Sequence, residues 1–198
     1  MIRTLLRQTA TGAKVLLVAT LLLGVGYPLA VWGVSRLPGL HERAEGSPLV
    51  VDGRVVGSAL IGVDPVATGP DPFFHTRPSA TGPDSTGGSN LSAFNPEQLR
   101  AQQQRRAAVA AREGVAPQRV PDDALTASAS GVDPGISPAY AELQVPRVAR
   151  ATGLPEPRLR AMIAEATGGG LLAERTVAVP ELNAAVARAA PGALPIKR

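Results

Sequence analysis

The sequence predicts an α+β domain that follows a single N-terminal transmembrane helix. Three observations predict this architecture: an uncharged apolar run near the N-terminus, two β-branched runs around one Asp-Gly pair, and several capped helical segments in the second half. Of the 198 residues, 44% are hydrophobic and 18% are charged, so the chain is long and apolar enough to bury one ordinary core.

The apolar run begins at Val15 and ends at Val34. A transmembrane helix needs about 20 apolar residues, whereas a signal-peptide core has about 7–15 and ends at a small-residue cleavage site. This run is long and lacks such a site, so we expect an uncleaved anchor in the lipid bilayer. Basic residues precede it and no acidic residue does. The positive-inside rule therefore predicts a cytoplasmic segment 1–14, a membrane helix 15–34 and an extracytoplasmic domain 35–198.

Individual residues predict local features of the membrane helix. Trp32 lies near its C-terminal end, where amphipathic aromatic rings favour the membrane interface. Pro28 is expected to kink or loosen the last turns, because proline lacks a backbone N–H. Thr20 and Gly24 share a helix face, and their small side chains allow another helix to approach closely.

Residues 49–62 are expected to form a β-hairpin, because Asp52 and Gly53 between two β-branched runs suit a type I′ turn. Residues 63–94 have no sustained periodicity of either kind. A segment of this length without regular structure is uncommon in a compact domain and is more often functional or disordered.

A first helix is expected from Pro96, with Asn95 as its N-cap and Gly114 just beyond its end. Its predicted apolar face is thin and comprises Leu99, Ala107, Val109 and Ala110. We therefore expect a half-solvated helix.

The remaining chain predicts a short extended piece at 120–126 and a second loop at 126–138. Ser137 and Pro138 mark the start of a helix that Pro146 is expected to interrupt. Three further features are predicted at the C-terminal end: a helix at 156–166 with a glycine stop at 168–170, a strand at 177–179 and a helix at 181–188.

The sequence lacks the motifs that nucleotide binding, nucleic-acid binding and metal binding require. A P-loop needs a Gly-Lys-Ser/Thr context that neither Lys14 nor Lys197 has, and no basic run indicates nucleic-acid binding. The chain has no Cys and only two His, so a metal site is not expected. One alternative stays open: a membrane-anchored extracytoplasmic serine hydrolase in which His75 activates Ser128 or Ser130, although no G-x-S-x-G elbow is present.

The aromatic residues of the outer domain predict a docking surface. Phe73, Phe74, Phe94 and Tyr140 all lie in or beside the two Gly/Ser/Pro-rich loops. One interpretation is that they pin the loops to the core. Two long loops anchored by aromatic side chains fit a surface that binds another protein better than they fit a pocket.

The sequence also resembles a known family, the C subunit of the Kdp potassium-transporting P-type ATPase. The resemblance rests on FFHTRPSA at 73–80, GGSNL at 87–91 followed by Asn95-Pro96, and LTASASGVDPGISP at 125–138. QVPRVARA at 144–151 and ELN at 181–183 add to it, as does the single N-terminal span.

The resemblance implies a non-catalytic accessory subunit of an ATP-driven, high-affinity potassium uptake complex in the plasma (inner) membrane. Its partners would be a potassium-conducting subunit, whose ion entrance it caps, and an ATP-hydrolysing subunit, whose ATP affinity it raises as a catalytic chaperone. ATP and potassium would act in the complex, and this chain would hold no cofactor of its own.

The candidate interface combines the loop aromatics with the polar residues of the resembling motifs. It comprises Phe73, Phe74, Arg77, Pro78, Ser79, Gly88, Ser89, Asn90, Phe94, Asn95, Thr126, Ser128, Ser130, Asp133, Ser137, Tyr140, Gln144 and Arg147.

Overall fold

A computed structural model of the chain describes residues 1–65, 69–81, 85–170 and 173–193. The chain divides into two compact units, Met1–Ser47 and Pro48–Arg198. The first contains a long apolar helix, and the second is a mixed body of helices and two small sheets. The predicted α+β class with an N-terminal apolar helix is therefore confirmed.

The N-terminal helix is longer than the sequence predicts. It consists of α1 (Ile2–Ala19), a π-helical segment (Thr20–Gly26) and α2 (Tyr27–Ser35). Within the described residues, Ile2–Ser35 is the one helix that is long and apolar enough to cross a membrane, with a mean hydropathy of 2.1 over its most apolar window. No residue of that window is buried in the protein.

Pro28 does not break this helix. It cannot donate a hydrogen bond to the carbonyl group four residues earlier, and its ring crowds that carbonyl group. The preceding segment widens into π turns instead, with the N–H of Tyr27 bonded to the oxygen of Leu22. The loosening expected from Pro28 thus takes the form of a π-helical segment rather than a sharp bend.

A short helix, α3 (His41–Ala44), lies in the connector, and the predicted hairpin follows it. Strands β1 (Pro48–Val51) and β2 (Arg54–Ser58) pair antiparallel, with a bulge at Leu49/Val50. Asp52 and Gly53 have φ values of 50° and 74°, as a type I′ turn requires.

Helix α4 (Pro96–Glu113) begins and ends as the sequence predicts. The side chain of Asn95 accepts a hydrogen bond from the N–H of Glu97 at 2.8 Å, and Gly114 ends the helix with φ 68°. The predicted apolar face is wrong in part, because Leu99 and Ala107 are exposed. The buried residues of this helix are Gln98, Val109, Ala110 and Glu113.

Helix α5 (Pro138–Thr152) runs through Pro146 without interruption, contrary to the prediction. The flanking Val145 and Val148 are fully buried, and this packing offsets the hydrogen bond that proline cannot make. Helices α6 (Glu156–Glu165) and α7 (Val179–Ala189) correspond to the two later helical predictions.

A second sheet contains β3 (Gly135–Ile136), β4 (Thr167–Gly170) and β5 (Ala173–Ala178) in the order β3-β5-β4, all antiparallel. Strand β4 includes the glycines at 168–170, which were expected only to end a helix. They form a strand because β5 runs beside them and supplies the hydrogen-bonding partner. The extended piece predicted at 120–126 is also wrong: that region contains a 3-10 turn at Asp122–Ala124, and another 3-10 turn, Pro117–Arg119, precedes it.

The main core of the body surrounds α5. Tyr140 and Val148 from α5 pack with Leu159 of α6 and Leu182 of α7, all at most 2% exposed. Phe74 joins this core from the loop that precedes α4. A smaller cluster of Val51, Ala184 and Ala187 attaches the hairpin to α7.

Candidate functional site

The first Gly/Ser/Pro-rich loop, described at 69–81 and 85–94, lies against the second loop, 126–137. The N–H of Ser128 donates to the oxygen of Pro78 at 2.9 Å, and the N–H of Gly87 donates to the oxygen of Ser130 at 2.8 Å. Gly131 has a φ of 77°, and a side chain there would meet the hydroxyl oxygens of Ser79 and Thr81. Backbone hydrogen bonds and close packing therefore hold the two loops together.

The three phenylalanines have three different environments. Phe74 is 0% exposed and belongs to the main core. Phe73 is partly buried and packs on the small cluster that includes Val51 and Ala184. Phe94 is 90% exposed. The side chain of Phe74 therefore cannot contact a partner in this structure, and the pinning interpretation applies to it, whereas only Phe94 lies open at the surface.

Two amide side chains hold the backbone at Phe74 and His75. Asn183 of α7 accepts from the N–H of Phe74 at 2.8 Å and donates to its carbonyl oxygen at 2.9 Å. Gln144 of α5 accepts from the N–H of His75 at 2.7 Å and donates to its carbonyl oxygen at 3.2 Å. The loop thus obtains from side chains the backbone pairing that a sheet would provide.

His75 lies between two carboxylates. Its Nδ1 is 2.8 Å from Asp64 and its Nε2 is 2.6 Å from Asp71, and the residue is 6% exposed. Burial disfavours the imidazolium, but the hydrogen bonds with Asp64 and Asp71 outweigh it and raise the pKa of His75. The protonated ring, which donates from both nitrogens, satisfies this arrangement.

The serine hydrolase alternative is not supported by this geometry. Both ring nitrogens of His75 bond to carboxylates, so neither accepts a proton from a serine. Ser128 instead bonds with Ser130 at 3.0 Å and accepts from the N–H of Gly131 at 3.0 Å. These serines organise a turn.

Arg147 links the histidine cluster to α4. Its guanidinium lies 2.9 Å from Asp71 and 3.0 Å from Glu113, whose side chain is fully buried. It also donates to the carbonyl oxygens of Asp71 and Phe73 at 2.7 and 2.9 Å. Arg147 therefore holds the loop backbone and the acidic partners together, as a planar group with several donors can.

The electrostatics of Asp71 and Tyr140 follow from these contacts. Burial works to raise the pKa of Asp71, but the hydrogen bond with His75 and the charge of Arg147 hold it below its ordinary value. Burial raises the pKa of Tyr140, and its hydroxyl oxygen accepts from Arg112 at 2.8 Å. These contacts therefore favour the carboxylate form of Asp71 and the neutral phenol form of Tyr140.

A second polar site surrounds Arg77, which connects the first loop to the second. Arg77 lies 3.0 Å from Asp133 and donates to the carbonyl oxygen of Thr126 at 3.4 Å. Asp123 accepts from the N–H and hydroxyl of Ser137, which caps α5. A cavity of about 290 Å³ that also borders β5 is lined by Arg77, Asp123, Asp133 and Ser137.

The candidate interface residues divide by exposure. The exposed ones are Ser79, Asn90, Phe94, Thr126 and Ser130. The partly exposed ones are Phe73, Arg77, Pro78, Gly88, Ser89, Asn95, Asp133 and Ser137. The buried ones are Phe74, Ser128, Tyr140, Gln144 and Arg147. In the structure, these five hold the loops in place from inside the body.

Sequence reasoning missed Asp64, Asp71 and Glu113 as members of the charged cluster. Glu113 immediately precedes the glycine that ends α4 and has the appearance of an ordinary solvated residue at a helix end. One signal was present for Asn183, which lies in the ELN motif at 181–183. Within the described residues, no group of three or more His, Cys, Asp or Glu side chains is placed to hold a metal ion.

Comparisons with known proteins find matches that cover most of the chain. The family model described as "KdpC: K+-transporting ATPase, c chain" matches residues 9–188. A potassium-transporting ATPase KdpC subunit from Kineococcus radiotolerans is 50% identical over 94% of this chain and 96% of its own length.

Two further KdpC subunits match at similar coverage. The protein from Streptomyces coelicolor is 41% identical over 94% of this chain and 95% of its own length. The one from Xanthomonas campestris strain B100 is 42% identical over 86% and 82%, respectively. The family match therefore includes the apolar helix from residue 9 onward as well as most of the body.

Proposed function

Because this chain belongs to the KdpC family, the c chain of K+-transporting ATPases, we propose that it is a non-catalytic accessory subunit that assembles an ATP-driven potassium uptake complex. In this proposal its body caps the ion entrance of the potassium-conducting subunit. The observation that carries the proposal is the apolar helix Ile2–Ser35, which has no buried residue in its most apolar window and so needs lipid or other membrane helices around it.

We place the N-terminus in the cytoplasm and the body outside the plasma membrane. Arg3, Arg7 and Lys14 support this orientation, because basic residues are retained on the cytoplasmic side. Arg36 lies 5.2 Å from the ring of Trp32 in a cation–π contact, and such a pair suits the opposite membrane interface.

The body is proposed to bind the potassium-conducting subunit through the exposed part of the two loops. Phe94 is the natural anchor, since it is 90% exposed and large aromatic side chains contribute most binding energy at interfaces. Ser79, Asn90, Thr126 and Ser130 in the same two loops also carry exposed polar groups. The buried cluster beneath them keeps this surface preorganised.

A chaperone effect on ATP affinity is proposed to act through the membrane helix. With the body outside the membrane, only the helix and the cytoplasmic segment 1–14 lie on the path to a cytoplasmic nucleotide site. ATP and potassium are thus bound by the other subunits of the complex, and this chain requires no cofactor in the proposal.

Copurification tests the proposal. The tagged full-length chain should retain the two large subunits after membrane solubilisation, and Phe94→Ala should weaken retention by about 2 kcal/mol, or roughly 30-fold in affinity. Gln103→Ala on α4 is the matched control, because Gln103 is exposed but lies outside the two loops. If the wild type, Phe94→Ala and Gln103→Ala retained the two large subunits equally, the loop surface would be rejected. If none of the three chains retained them, the subunit role would be rejected.

A further inference from the structure

The exposed apolar residues of the body are concentrated in one segment. Among the described residues after Ser47, eight large apolar side chains are exposed, and six of them lie within residues 50–63. These six are Val50, Val55, Val56, Leu60, Ile61 and Val63. We call residues 50–63 the hairpin segment. Such a concentration of exposed apolar side chains in one segment marks a docking surface.

The hairpin segment presents apolar side chains in two directions. Val50 and Val55 are paired across β1 and β2, so they share one face, and they are 49% and 69% exposed. Val56, Ile61 and Val63 instead line an open groove of about 280 Å³ against α7.

The groove lacks the polar groups that a specific ligand would require. Ser58 and Asn183 are its only polar lining side chains among the described residues. Ser58 accepts from the N–H of Leu60 at 3.0 Å, and both groups of the Asn183 amide bind the backbone of Phe74. Specific small-molecule sites place a few polar groups in an apolar pocket, so this groove suits featureless hydrocarbon.

The short link between the apolar helix and the hairpin segment favours lipid as the occupant of this apolar surface. Residues 36–47 are the only link between the apolar helix and the hairpin segment, and a fully extended chain of that length reaches at most about 40 Å. Leu37 and Leu40, in the part of this link next to the apolar helix, are 52% and 40% exposed.

We propose that the hairpin segment lies in the interfacial layer of the bilayer, with its exposed valines and Ile61 against acyl chains. Arg54 and Arg188 are exposed beside it, where their guanidinium groups can pair with phospholipid phosphates. The proposal rests on the membrane anchorage proposed above, and it adds a second lipid contact made by the body.

Site-directed spin labelling in nanodiscs tests this placement on the full chain. The sequence has no Cys, so Val55→Cys introduces one labelling site at an exposed position. In discs containing phosphatidylglycerol, the collision rate with oxygen relative to a water-soluble nickel complex should be several-fold higher at Val55 than at Gln103→Cys on the exposed side of α4. Ile61→Cys repeats the measurement in the groove.

Two results would overturn the proposal. Ratios equal to that of Gln103 would place the hairpin segment in water, and protection from both reagents would mean that a second copy of the chain covers it. A chain that fails to remain with the discs would instead overturn the anchorage itself. The two hypotheses therefore fail in distinguishable ways.

Discussion

At the residue scale, Phe74 combines a core side chain with a backbone bound by Asn183. Its ring is fully buried, so Phe74→Ala leaves a cavity and should lower the free energy of unfolding by about 3–5 kcal/mol. Phe94→Ala should leave it nearly unchanged, because that ring is 90% exposed. Thermal unfolding of the full chain in detergent, followed by circular dichroism, compares the two. Equal melting temperatures for the two variants would contradict these environments.

His75 gives the body a defined pH dependence. Its folded-state pKa is raised above its ordinary value of 6.5, so its contribution to stability is complete below about pH 6.5 and is lost as pH rises through the folded pKa. The pKa of Asp71 is lowered, so its contribution is present above its ordinary pKa of 3.8 and is lost as pH falls through the folded value. Unfolding free energy should therefore decrease above about pH 6.5 in the wild type.

His75→Gln should remove most of that decrease, because the glutamine side chain does not titrate. Chemical denaturation at a series of pH values from 5 to 9 measures it, and His41→Gln is the control because His41 is exposed. If the His75→Gln chain kept the full wild-type slope above pH 6.5, another group would have to cause it.

The charged cluster was beyond sequence reasoning for a physical reason. Asp71 and Arg147 are separated by 76 residues, and Glu113 and Arg147 by 34. Local periodicity and capping rules contain no information about such pairs, which form only when the loop folds back onto α4 and α5. The polar residue types were visible in the sequence, but their burial was not.

At the element scale, boundaries set by local backbone chemistry were predictable. Asn95 and Gly114 define the two ends of α4, and Asp52-Gly53 defines the hairpin turn, because caps and turns depend only on neighbouring residues. Pro146 and the glycines of β4 were misassigned, since burial of α5 and pairing with β5 override local preference.

The apolar helix gives a prediction at the same scale. Leu22 lies in the π-helical segment and is 64% exposed. Leu22→Arg should disfavour membrane insertion by about 2.5–3.5 kcal/mol at the helix centre, whereas Leu22→Ala should retain it. The membrane fraction after carbonate washing measures the difference. Equal retention of the two variants would contradict a membrane-spanning role for this helix.

At the scale of the whole molecule, the chain separates two tasks. The unit Met1–Ser47 contains the helix that is long and apolar enough to cross a membrane, and the unit Pro48–Arg198 has its own core. The family was recognisable from the loop motifs because those motifs contain the residues that fix the loops. Arg147 and Gln144 are buried parts of this scaffold, so a motif that identifies the family need not itself contact a partner.

This division predicts two different kinetic defects in the assembled ATPase. If the loop surface caps the ion entrance, Phe94→Ala should raise the potassium concentration needed for half-maximal ATPase activity several-fold and leave the KM for ATP unchanged. If the chaperone effect acts through the helix, Gly24→Leu should raise the KM for ATP, because a bulky side chain beside Thr20 prevents close approach of another helix. Gly33→Leu is the matched control, since a side chain at Gly33 meets nothing within 4 Å and Gly33 lies near the opposite end of the helix from the cytoplasmic segment. A change in the KM for ATP caused by Phe94→Ala would contradict the capping position of the body.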